Sequence, residues 1–152
     1  MILLDAQRLT EKLMNQHNLN EMGWRFEFDN SKRRFGCCNY THKKITLSRH
    51  LVLLNDETRV TNTILHEIAH ALVGSGHGHD NVWRRKAIQI GCDGKRCYTE
   101  KNTVTPAAKY VAICKGCGAE AKRQRKPQRT SSCGRCSNRF NPNTILEFVQ
   151  QY

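Results

Sequence analysis

No stretch of this 152-residue chain strings together the ~18 apolar residues that a membrane-spanning helix requires, so no membrane partner is expected. Its first residues, MILLDAQRLTEKL, lack the basic segment that opens a secretory signal, and their apolar run stops at Asp5. They are expected to lead into a helix instead. Acidic residues are scarce: 13 Asp and Glu stand against 25 Lys and Arg, a formal charge of +12. Such an imbalance favours a polyanionic partner, because each phosphate neutralised releases counterions, although simple solubility is the blander account. Internal repeats are missing, and so is low complexity beyond one basic tract. Without a sign of export, the eight cysteines are expected to be reduced or metal-bound rather than paired. The expected setting is cytoplasmic and nucleoid-associated, or nuclear in a eukaryote.

What is present falls into two parts. LDAQRLTEKLMNQHNL (4–19) has Leu9, Leu13 and Met14 at helical spacing, with Asp5 as the expected cap. WRFEFD (24–29), RFGCCNY (34–40) and KKITLS (43–48) read as short strands separated by turn signals, together an antiparallel meander. NDETRVTNTILHEIAHALVG (55–74) is the clearest helix, with Val60, Ile64, Leu65, Ile68, Ala69, Leu72 and Val73 on one broad stripe and Gly74 to stop it. A further helix is expected from Asp80 through VWRRKAIQI to Gly91. Composition then turns polar around Pro106. The expected division is a larger domain over 1–100, a linker over 101–109, and a small domain over 110–152 that is poor in large apolar residues.

His66, Glu67 and His70 form H-E-x-x-H on the clearest helix. Residues four apart lie ~6 Å apart along the axis on nearly one face, so two imidazoles can grip one ion. Glu67, one position round, then stands where it can take a proton from water that such an ion acidifies. The alternative is a pair of surface or capping histidines. Against it, the flanking apolar residues bury this helix, and uncompensated His and Glu are costly there. A third ligand is needed. The longer H-E-x-x-H-x-x-G-x-x-H pattern fails, because its last histidine falls on Gly76; His77 and His79 are the two candidates.

These residues resemble the SprT-like metallopeptidases. In that family the third histidine precedes an aromatic by four residues; here His79 and Trp83 keep the spacing, while Asp80, Asn81 and Val82 replace the family's usual intervening residues. KKITLSRHLVLL (43–54) is similar to the family's strand and the I-x-L-S-x-x-L-L that follows. The resemblance covers residues 5–92. It implies an α+β zincin-like core, His79 as third ligand, and digestion of proteins bound or crosslinked to DNA.

Cys114 and Cys117, then Cys133 and Cys136, give C-x2-C-x15-C-x2-C, two knuckles that complete a tetrahedral site. Redox dithiols are the competing account. A zinc ribbon also fits the SprT resemblance and extends it to residue 140. Two zinc ions are therefore expected, one catalytic and one structural. Between the knuckles, Lys122, Arg123, Arg125, Lys126 and Arg129 make a candidate phosphate-contacting tract for DNA of either strandedness. No base-reading pattern accompanies it. Cys92 and Cys97 could bind metal or pair, but their spacing is a loose match for a knuckle, and Cys37 and Cys38 are adjacent in a strand. Packing or an inert surface position is the expected role of all four. Rival readings are a non-catalytic nucleic-acid adaptor with structural zinc, and a metal-dependent hydrolase of non-peptide substrates whose ribbon binds RNA.

Overall fold

The computed structural model describes residues 1–96 and 103–151, so Cys97 lies outside the described residues. It divides into two compact units: Met1–Pro106, which mixes α-helices with a small sheet, and Ala107–Tyr152, built on short strands and one 3-10 turn. Among the described residues, no helix is long and apolar enough to cross a membrane.

The first unit opens with α1 (Leu3–Gln16), whose Ala6, Thr10 and Met14 face inward. Asp5 does not cap it. Ile2 occupies the cap position without a side-chain hydrogen bond, and Asp5 sits in the first turn, where its charge complements the exposed N–H groups. The helix starts earlier than its polar signal, and just ahead of it Met1 N donates to the Asn55 carbonyl at 2.6 Å.

Strands β1 (Arg25–Asp29), β2 (Gly36–Asn39) and β3 (Lys44–Ser48) form one sheet, in the order β1-β3-β2. The expected antiparallel meander is therefore corrected: β2 and β3 are antiparallel, but β1 runs parallel to β3. Burial supplies the reason. Ile45, Leu47 and Ser48 of β3 are fully buried, so this strand takes the centre, where both backbone edges are paired. Residues 30–35 then pass around its C-terminal end instead of closing a hairpin. They are stitched there by Ser48 N donating to Phe35 O at 2.8 Å and Ser48 Oγ donating to Ser31 O at 2.5 Å.

Ser48 also caps α2 (Arg49–Leu54), accepting from Leu51 N. Helix α3 (Glu57–Val73) follows, capped by Asp56 and ended by Gly74, whose φ of 84° suits glycine. Its apolar stripe is wide because it packs on two sides. Val60, Ile64 and Ile68 join the main core with Met14, Ile45, Leu47 and Leu51. Leu65 and Ala69 instead meet Trp83 and Ala87 of α4 (Asn81–Gln89), with Cys92 alongside. Burying a large apolar side chain of this kind is worth roughly 1.5–3 kcal/mol, so α3 is anchored from both flanks.

In the second unit, β4 (Tyr110–Ile113) is central and pairs antiparallel with both β5 (Glu120–Arg123) and β6 (Val149–Gln150). Among the described residues of this unit, those buried are Ala112, Cys114, Cys133 and Thr144. That is too little apolar substance to make a core.

Candidate metal centre

His66 and His70 lie one turn apart on α3, and the Gly74–Gly78 turn carries His79 back towards them. The three Nε2 atoms converge: 3.0 Å from His66 to His79, 3.1 Å from His70 to His79, and 3.3 Å between His66 and His70. A tetrahedral zinc with bonds of about 2.0–2.1 Å to nitrogen sets its ligands about 3.3 Å apart, so the spacing fits. The donor chemistry fits as well. Three nitrogens in a triangle cannot all satisfy one another by sharing protons, whereas three inward lone pairs suit a cation.

Burial keeps those lone pairs available. It pushes the His66 imidazole down to about 3 and His70 to about 4, helped by the neighbouring imidazoles, and it lowers His79 too. The indole of Trp83, 1% exposed, supports all three rings: stacked on His70 with centroids 5.1 Å apart, edge-on to His66 and His79 at 4.6 and 4.7 Å. His77 is drawn away. Its Nδ1 lies 2.8 Å from Asp80 Oδ2, while Asp80 Oδ1 accepts from Val82 N and Trp83 N to cap α4. One aspartate thus starts the helix bearing Trp83 and holds the competing histidine.

Glu67 is 7% exposed, beside the histidines. Burial raises its carboxyl to about 8, against the opposing pull of Arg34 and of the Cys38 backbone N–H facing it. Imidazoles and carboxylate together border a cavity of about 580 Å³, walled on the far side by Gly36, Cys37, Cys38 and Tyr40. The Tyr40 hydroxyl donates to the His70 carbonyl at 3.2 Å, next to the Gly74 N–H that caps the same group. Arg34, Gly36 and Tyr40 had no motif to mark them. Only the packing of β2 against α3 brings them to the site. Cys38 packs on the main core and Cys92 on the smaller one.

In the second unit the four thiols gather: Cys114 and Cys136 Sγ are 3.7 Å apart, Cys117 and Cys133 Sγ 3.6 Å, and all four lie within 4.8 Å. Zinc–sulfur bonds of about 2.3 Å imply a ligand spacing of about 3.8 Å, so this set also matches a tetrahedral ion. The knuckles are backbone turns, with Gly118 N donating to Cys114 O and Ser137 N to Cys133 O. Lys122 and Arg123 stand on β5, with Arg125, Lys126 and Arg129 on the segment after it, and all five are exposed. Lys122 pairs with Glu120 at 2.9 Å, and the Arg123 guanidinium lies over the Phe148 ring.

The family model for SprT-like proteins matches residues 6–105. One similar curated protein is the germ cell nuclear acidic-1 protein of Caenorhabditis elegans, 32% identical over 119 residues. That match takes in 68% of this chain and 22% of the relative, so the chain spans only about a fifth of that protein's length.

Proposed function

Because the chain belongs to the SprT-like family, we propose that it is a zinc metallopeptidase with a zincin-like core that cleaves proteins bound or crosslinked to DNA. One observation carries the reading: three imidazole nitrogens converge at the wall of an open cleft, with a buried carboxylate alongside and no fourth protein donor gathered with them among the described residues. A closed set of four would be structural; three with an open position suit catalysis. His66, His70 and His79 would hold the ion. Zinc there supplies a Lewis acid that polarises the scissile carbonyl and acidifies the attacking water, and its charge favours ionised Glu67. Glu67 takes the proton from that water and returns it to the leaving amine. Trp83 keeps the imidazoles in place, and the cleft wall of β2 confines the substrate beside them.

The second unit is the proposed DNA-binding part, held by zinc on Cys114, Cys117, Cys133 and Cys136. Five exposed cations on and after β5 support backbone contact without sequence preference, and Arg123 over Phe148 offers a flat surface for an unstacked base. DNA is expected to accelerate cleavage of a DNA-binding substrate at low salt, and the gain is expected to vanish as salt rises. If all five cations meet phosphates, log affinity falls with log salt at a slope of about −4. Arg125→Gln with Lys126→Gln should reduce that slope by about 2, read by fluorescence anisotropy across a salt series. An unchanged slope would remove this tract from the interface. A cleavage rate indifferent to DNA would remove DNA from the mechanism.

A further inference from the structure

We propose that Gly36 positions the Glu67 carboxylate: the space left by its missing side chain is the space the carboxylate occupies. This rests on reading Glu67 as the general base. A Cβ built on Gly36 would stand 2.6 Å from Glu67 Oε1, 2.8 Å from Cγ and 3.0 Å from Cδ. Carbon atoms settle at about 3.5–4.0 Å, and contacts under 3.0 Å such as those to Oε1 and Cγ force something to shift.

Backbone conformation does not account for the glycine. Gly36 is absent from the positive-φ glycines of the chain, and it lies in a regular strand, where other residues are ordinarily preferred. Only the approach of Glu67 distinguishes glycine from alanine here.

Neither wall can retreat. Gly36 is in register with the fully buried Leu47 of β3, and the preceding Phe35, 2% exposed, accepts a hydrogen bond from Ser48 N. On the other side, Ile64 and Ile68, both fully buried, fix the α3 backbone around Glu67. An added methyl must therefore move the carboxylate itself, away from the Cys38 N–H that faces it. The β2 strand thus serves as a template that sets the base, with a hole at one residue and a donor two residues on.

The test compares zinc-loaded Gly36→Ala, Glu67→Ala and the double variant with the parent, each as the whole 152-residue chain. Gly36→Ala is expected to lower kcat about 100-fold, the loss typical of a misplaced catalytic group, with KM and zinc content unchanged. It should also lower the unfolding midpoint in the parent but not in the Glu67→Ala background, where truncation has emptied the space. That stability cycle reads the contact whether or not the protein cleaves peptides, so the catalytic reading can fail separately. Should Gly36→Ala alone not fold, Glu67→Ala is expected to rescue it. Cleavage at the parental rate by Gly36→Ala, an equal loss of stability in both backgrounds, or a failed rescue would each overturn the proposal.

Discussion

Glu67→Gln is expected to leave the three-histidine site loaded with zinc and to reduce peptide cleavage by about 10²–10⁴-fold, the usual worth of a positioned general base. Glutamine has nearly the same shape, so it fills the pocket against Gly36, and its carbonyl can still accept from the Cys38 N–H. It cannot take a proton from water. The metal should stay because the carboxylate is not among the converging donors, which are the Nε2 atoms of His66, His70 and His79. Metal analysis and a cleavage assay on one preparation separate the outcomes. Undiminished cleavage would strip Glu67 of its role. A parent that holds zinc yet cleaves nothing, with or without DNA, would favour the adaptor reading.

Cys133→Ser should unfold the second unit while leaving the first folded. Among the described residues of the second unit, those buried are Ala112, Cys114, Cys133 and Thr144, so apolar burial cannot offset the ordering of its backbone. Structural zinc in small domains contributes roughly 10–16 kcal/mol, and zinc on the proposed four-cysteine site would supply the folding energy here. The first unit has its own core, from Met14 and Trp24 through Leu47, Leu51 and Ile64, and stands without the ribbon's ion. Amide exchange is the measurement. Protection of Ala112 and Cys114 should vanish in Cys133→Ser and in chelator-treated protein, while that of Ile64 and Ile68 persists. Continued protection of the ribbon without zinc would mean that something other than the ion holds it.

Local chemistry made α1, α3 and α4 legible, but not α2 or the cap of α1. Asp80 and Gly74 mark the boundaries of α4 and α3 because a cap needs only its own turn. The gathering of His66 with His70 and of Cys114 with Cys117 was readable for the same reason, since four residues on a helix or two in a knuckle fix which atoms can meet. Strand alternation was readable too, but it reports faces and not neighbours. Nothing within 24–48 says that β3 enters between β1 and β2; that follows from the burial of Ile45 and Leu47 and from the Ser48 stitches, which link residues 13 and 17 apart. Spacing alone left His77 and His79 open. What separates them in the structure is Asp80, which engages His77 while capping α4. Gly36 was equally hidden, because its partner lies 31 positions away on another element.

The most direct test of the catalytic account is a crystal structure of the 152-residue chain with zinc bound. The account predicts Nε2 of His66, His70 and His79 at about 2.0–2.1 Å from the ion, with a water oxygen completing the shell near Glu67. A fourth protein donor in that position, leaving no room for water, would contradict it.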